Sequence, residues 1–296
     1  MMTQISQSSP KSHLHRRMPL SRLVDRITSI LALFLIIFLV LVPILWLIQM
    51  SFRTQISAFE MPPSLTKGWT LENYIQIAQS PFLRNLLNSL IVSTLTTTFS
   101  MLFGVPAAYA ISRHKFKHDN LLAFWILTAD LALPIGFAFP LFDIFVHIHI
   151  FGAPLNNTYF GITLAYLTFA VPLVIWTLRP FLDSIPVDME EAAVVDGASN
   201  WQVFFQIVIP LSTPGLASVG ILIFIDAWIE FFYALVFTRG NMVTAPVGVV
   251  NFMQYAGLNW GLITSAGVII LLPVVLFAIF THRFLISGLT AGAIKG

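Results

Sequence analysis

No cysteine occurs in the 296 residues, which excludes disulfides, thiolate nucleophiles and cysteine-based metal sites. Charge is almost as scarce. Only 9% of the residues are Asp, Glu, Lys or Arg, against about 25% in an ordinary soluble domain, so a water-soluble globule is excluded as well. Several chemistry-bearing patterns are missing. There is no G-x-x-x-x-G-K-[ST] to cradle nucleotide phosphates, and no G-x-G-x-x-G, H-E-x-x-H or G-x-S-x-G. No catalytic residue is therefore assigned, and any work done with ATP must reach this chain through a partner. His147 and His149 form an H-x-H, but two histidines without further ligands make no metal site, so none is assigned. Asn156–Thr158 matches a glycosylation sequon, to which no function is given.

What remains is apolar: 57% of the chain, with a mean hydropathy of +0.86. A membrane-crossing helix needs about 20 consecutive apolar residues, because lipid offers its backbone no hydrogen-bond partner. Six stretches qualify: Ile27–Ile48, Leu86–Ile111, Leu121–Phe145, Thr158–Leu178, Leu216–Phe237 and Gly261–Phe280. The expected fold class is all-α, a polytopic membrane protein with six transmembrane helices. The first stretch is longer than a signal-peptide core and lacks an A-x-A-like cleavage site, so it reads as a retained helix. The second carries Ser89, Ser93, Thr94, Thr96, Thr97, Thr98 and Ser100, small hydroxylated residues that favour close packing inside a bundle. The expected organisation is a cytoplasmic tail at residues 1–26, a transmembrane domain at 27–285 and a second cytoplasmic tail at 286–296.

The distribution of positive charge orients the helices. With a cytoplasmic N-terminus, the inner segments hold Lys11, Arg16, Arg17, Arg22, Arg26, Arg113, Lys115, Lys117, Arg179, Arg283 and Lys295. Only Arg53, Lys67, Arg84 and Arg239 then lie outside. The positive-inside rule places both termini in the cytoplasm, and an even number of spans agrees with that.

The loop at residues 179–214, between the fourth and fifth spans, is too long for a tight connection. Pro186 and Asp188 suggest a helix start, with Asp188 as N-cap and Glu191 three residues on. That helix, Met189–Val195, is expected to end near Gly197, which tolerates the left-handed conformation past a helix terminus. Ser199 and Gln202 offer a second capping box. The helix after them carries Trp201, Phe204, Phe205 and Val208 at helical spacing and is expected to stop at Pro210. Residue chemistry leaves two readings open: a small acidic knob for another protein's groove, or a helix pair that merely caps the bundle.

A resemblance bears on that choice. Glu191-Ala192-Ala193, Gly197 after three further residues, and Ile207, Ile209 and Pro210 after nine more resemble the EAA motif of permease subunits in binding-protein-dependent ABC importers. Ile209 stands where leucine is usual. Phe284–Gly296 (FLISGLTAGAIKG) and Thr244–Trp260 (TAPVGVVNFMQYAGLNW) are similar to the MalG-like permeases of carbohydrate importers. The resemblance implies that the loop is a coupling helix seated in a cleft of an ATPase subunit. Glu190, Glu191, Ala192, Ala193, Asp196 and Gly197 would then face the ATPase, and Trp201–Val208 would anchor the element to the bundle. Glu191 could cap its own helix or pair with the ATPase. The implied partners are an ATPase dimer that binds the ATP and Mg, a second permease subunit, a solute-binding protein and the lipid bilayer of a bacterial inner membrane. This chain itself would hold no cofactor and bind no nucleic acid.

Asp130, Asp143, Asp226 and Glu230 fall in or near the apolar stretches, where ionisable groups are costly and face an interior, a cavity or an interface. Asp226 and Glu230 are four apart and, on a continuous helix, share a face near Tyr233. These three are the candidate translocation-path residues. They could equally bond neighbouring helices. An ion-coupled secondary transporter using Asp226 and Glu230 is the second function class, against which the lack of an internal repeat counts. An intramembrane enzyme is a third, for which no nucleophile–base pair is visible.

Overall fold

The computed structural model describes residues 20–58, 60, 68–114, 128, 134–150, 152–254 and 259–293. The chain divides into two compact units, residues 1–47 and 48–296. The first consists, among the described residues, of most of helix α1 (Leu20–Ser51). Every side chain from Arg26 to Pro43 is exposed, although nearly all of them are apolar. A helix apolar all round is stable only in lipid or against other protein.

The second unit contains the rest. A single turn, α2 (Gln55–Ala58), and α3 (Glu72–Gln79) precede the long α4 (Phe82–Arg113). Helix α5 (Pro134–His147) leads into a two-residue hairpin, β1 (His149–Ile150) paired antiparallel with β2 (Ala153–Pro154). Then come α6 (Tyr159–Asp183), α7 (Val187–Val195), α8 (Asn200–Leu211), α9 (Thr213–Ile229), α10 (Phe232–Phe237), α11 (Ala245–Gln254) and α12 (Trp260–Ala293).

Four described helices are long and apolar enough to cross a membrane: Arg26–Ser51, Phe82–Arg113, Tyr159–Asp183 and Trp260–Ile279. They match the first, second, fourth and sixth expected spans. About half of the third, Leu121–Phe145, lies outside the described residues; Thr128 and the part within α5 are described. The fifth differs from expectation. Leu216–Phe237 is not one helix, because α9 ends at Ile229 and a separate short helix begins at Phe232.

Small residues let α4 and α6 pack closely. Ser89, Ser93, Thr96, Ser100, Gly104 and Ala108 recur every three or four positions along α4 and are all buried. A β-carbon on Gly104 would lie 2.6 Å from a methyl of Val174, so only glycine fits at this crossing. Thr94 and Thr98 face out, and the Thr98 hydroxyl bonds back to the Thr94 carbonyl at 2.8 Å.

At the Phe82 end of α4, buried polar groups tie the connecting segments down. Asn88 donates to the carbonyls of Asn241 and Val243, both at 2.8 Å, and accepts from the Tyr159 hydroxyl at 2.6 Å. The Ser89 hydroxyl accepts the Ala245 N–H at 2.8 Å, satisfying a donor at the start of α11. Asn73 donates to the carbonyls of Ser51 and Arg53, both at 2.9 Å.

Candidate functional site

The segment from Val187 to Leu211 is the expected pair of short helices, with altered ends. Helix α7 begins at Val187, two residues earlier than anticipated, and Pro186 occupies the N-cap without any side-chain cap bond. The expected Asp188 cap is thereby corrected. Proline has no N–H to leave unsatisfied and its fixed φ suits a helix entry, so Asp188 falls inside the first turn. There its charge still favours the positive end of the helix dipole.

The C-terminal end matches expectation. Gly197 has φ +92°, its N–H bonds the Val194 carbonyl at 3.0 Å, and the Ala198 N–H bonds the Ala193 carbonyl at 2.9 Å. These two bonds are the Schellman pattern that closes a helix through a left-handed residue. Ser199 and Gln202 then form a reciprocal capping box, with the Ser199 N–H donating to Gln202 Oε1 at 2.7 Å.

Helix α8 does not stop at Pro210. A π-turn over Phe204–Val208 widens the helix just before the proline, and the chain continues to Leu211. The widened turn relieves the clash between a proline ring and the carbonyl one turn back. The break comes at Ser212 instead, where α8 and α9 meet at 77°. Ser212 is buried and its hydroxyl bonds the Val208 carbonyl at 2.7 Å.

The aromatic stripe is divided between two environments. Val203, Phe204 and Val208 sit in a core with Leu178, Leu182, Ile185 and Val105, so they hold the element to α4 and α6. Trp201 and Phe205 point away from it, 69% and 59% exposed, with their rings stacked 5.9 Å apart. Gly215, where α9 starts, sits where a β-carbon would lie 2.7 Å from the Phe181 ring.

The six docking candidates are likewise divided. Glu191, Ala192, Asp196 and Gly197 are exposed, and Ala193 is half-buried against the core. Glu190 is turned inward and only 7% exposed. One of its carboxylate oxygens lies 2.7 Å from both Nε and Nη2 of Arg113, and the other accepts the Tyr109 hydroxyl at 2.7 Å. Arg113 also donates from Nη2 to the carbonyls of Leu182 (3.0 Å) and Ile185 (3.3 Å), and lies over the Tyr109 ring. The last residue of α4 therefore fastens the end of α6 and the first turns of α7 together. Local spacing shows Arg113 only as an inner charge, because its partner Glu190 lies 77 residues away.

Asp226, Glu230 and Tyr233 gather around one side chain of α6: Asp226 and Glu230 both act electrostatically on the buried Tyr166, and the Tyr233 ring packs against it. Glu230 follows the last residue of α9 with a helical φ of −63° and an extended ψ of 129°, so it stays one turn from Asp226 while the helix ends after it. Its carboxylate accepts the N–H groups of Tyr233 (2.9 Å) and Ala234 (3.1 Å), capping α10. The Tyr233 ring is buried among Tyr166, Phe169 and Phe237, and its hydroxyl lies 3.3 Å from that of Thr168. Asp143 is an exposed residue one turn from His147, and Asp130 lies outside the described residues.

Comparison with known proteins agrees with this architecture. Residues 100–290 match the family described as binding-protein-dependent transport system inner membrane component. The chain is 34% identical over 280 residues to the trehalose/maltose transport system permease protein MalG of Thermococcus litoralis, covering 92% of this chain and 98% of that one. It is 35% identical over 262 residues to the trehalose transport system permease protein SugB of Mycobacterium tuberculosis, covering 86% and 93%. Among solved structures, a bacterial ABC transporter that imports the acidic polysaccharide alginate superimposes with a TM-score of 0.72 at 21% identity, covering 90% of this chain and 98% of that one. The MetNI methionine transporter does so at 0.57 and 15%, covering 70% and 95%. At these identities the structural matches speak for the fold alone.

Proposed function

The chain belongs to the family of binding-protein-dependent transport system inner membrane components, and on that premise we propose that it is half of the translocation pathway of an ATP-driven importer for a sugar, oligosaccharide or polyol. The family makes it a multi-pass membrane permease rather than an enzyme. The sugar class is supported by the names of its relatives, both of which are sugar permeases. The alginate importer of the same fold also handles a carbohydrate.

One observation carries the coupling role. Helix α7 and its Gly197 turn stand out from a buried base of Val203, Phe204 and Val208, at the spacing of the EAA motif. An exposed small-residue helix held rigidly from behind is suited to receive a push. We assign Glu191, Ala192, Asp196 and Gly197 to the ATPase-facing surface, with Ala193 at its edge. Glu190 is a positioning residue beneath that surface. ATP and Mg belong to the ATPase dimer, a second permease completes the pathway, and a solute-binding protein delivers the substrate outside. Both termini are cytoplasmic, which places the Arg113 end of α4 inside and the Phe82 end outside.

Gly197→Val is the direct test. A side chain at φ +92° costs about 1–2 kcal/mol, and no neighbouring atom lies within 4 Å of the added β-carbon, so only the turn is altered. The variant is expected to insert normally, lose co-purifying ATPase and lose sugar uptake. Full uptake and full ATPase recovery would count against the assignment.

A further inference from the structure

We propose that the outer end of this chain holds a carbohydrate-binding vestibule, a cavity in which a sugar's hydroxyl groups are met by asparagine side chains before the substrate enters the membrane. The inference rests on the importer reading and on cytoplasmic termini. The cavity has a volume of about 940 Å³ and lies between the Phe82 end of α4, the segment after α10, and α11. That space suffices for a small saccharide with its water.

Its chemistry is specific. Asn85, Asn241, Asn251 and Asn259 all line it, with Arg239 and the Phe252 ring, and among the described residues no carboxylate does. A primary amide offers two donors and an acceptor, which matches the paired donor and acceptor character of neighbouring sugar hydroxyls. The ring adds a face on which a pyranose can rest.

Asn85 is the residue that points to a ligand. It is only 6% exposed, yet its side chain makes no hydrogen bond among the described residues. The residue lines the cavity, so a ligand there can meet its amide directly. The other asparagine one turn further along α4 shows the contrast, since Asn88 uses its Nδ2 on two carbonyls and its Oδ1 on Tyr159. Gly248 makes the room: a β-carbon there would lie 2.3 Å from Asn85 Nδ2. Asn259 accepts one backbone N–H through Oδ1 at 3.2 Å and keeps its amide donors. Arg239 directs Nη1 to the Leu235 and Thr238 carbonyls at 2.6 and 2.7 Å, which holds the guanidinium at the rim.

The absence of native cysteine makes the test clean. Asn251→Cys places the only thiol of this chain at the cavity, and a membrane-impermeant maleimide reports its accessibility in intact cells expressing the whole transporter. Trehalose, maltose and sorbitol are the probes, with glycine betaine as a solute of another class. Labelling from outside is expected. Whichever probe the transporter imports should slow labelling about tenfold at ten times its Kd, by simple mass action. Adding Asn85→Ala, or separately Gly248→Ala to displace the amide, should remove the protection and leave the unprotected rate unchanged. Equal protection by glycine betaine, protection that survives both variants, or no protection by a sugar that the same cells import would overturn the vestibule. Those results leave the importer reading standing. A transporter that hydrolyses ATP in response to its binding protein but imports none of the three sugars removes the reading beneath the proposal instead.

Discussion

Two acidic side chains in this molecule, Glu190 at the start of the coupling element and Glu230 at the break in the fifth span, sit among apolar neighbours and are satisfied by different kinds of donor. Glu190 takes its bonds from Arg113 and Tyr109, side chains of another helix and far away in sequence. Glu230 takes its bonds from the backbone of the next turn. The first arrangement joins elements; the second shapes one. The difference shows in what each can transmit. An ion pair between helices resists their separation, whereas a local cap only decides where a helix begins.

The largest effect should come from leaving Glu190 without its counter-charge. Arg113→Met is expected to cost about 3–5 kcal/mol, because a buried carboxylate then has no cation. The purified chain should melt at lower temperature and release the ATPase. The double variant Arg113→Met with Glu190→Leu should regain most of the Tm, since an apolar pair of similar volume often replaces a buried ion pair without loss. If the double variant also regains uptake, the contact acts by holding the helices together, and its charge is incidental.

A smaller effect is expected at Glu230. Glu230→Ala removes the acceptors of two helix N-terminal donors, a loss of about 1–3 kcal/mol. Glu230→Gln keeps an acceptor and should keep both Tm and uptake. Uptake abolished in Glu230→Gln at unchanged Tm would make the carboxylate an ion-coupling group and erase the contrast with Glu190. The smallest effect belongs to Ser199→Ala, which opens the exposed capping box at a cost of about 1 kcal/mol. Thermal unfolding should register it while ATPase co-purification stays intact.

Local signals in the sequence were read well. Gly197 and the Ser199–Gln202 box depend on residues within one turn of each other, and both are present where expected. The polar stripe of α4 was also legible, because a helical period of small residues fixes a face whatever packs on it. Three helix boundaries differ from expectation, each where local spacing does not decide the matter. Asp188 lost its cap to Pro186, and Pro210 was accommodated by a π-turn that no spacing rule announces. Leu216–Phe237 reads as one helix, yet the Glu230 carboxylate caps a new one that begins at Phe232. Glu190 was the most instructive case. Its partner is Arg113, 77 residues earlier, and only the packing of α4 against α6 brings the two together.

Helix α4 has the proportions of a connecting rod. Its 32 residues span roughly 48 Å, more than the hydrocarbon thickness of a bilayer. At one end Arg113 grips helix α7, and at the other Asn85 lines the cavity while Asn88 and Ser89 hold the segments around it. A rod fixed at both ends relays displacement, and it gives where its ladder lacks a rung. Pro106 is the single proline inside α4, two turns from the Arg113 end, and there the backbone is missing a donor. The two ends of the rod are thus joined by one length of backbone with one built-in joint, placed close to the end that holds helix α7.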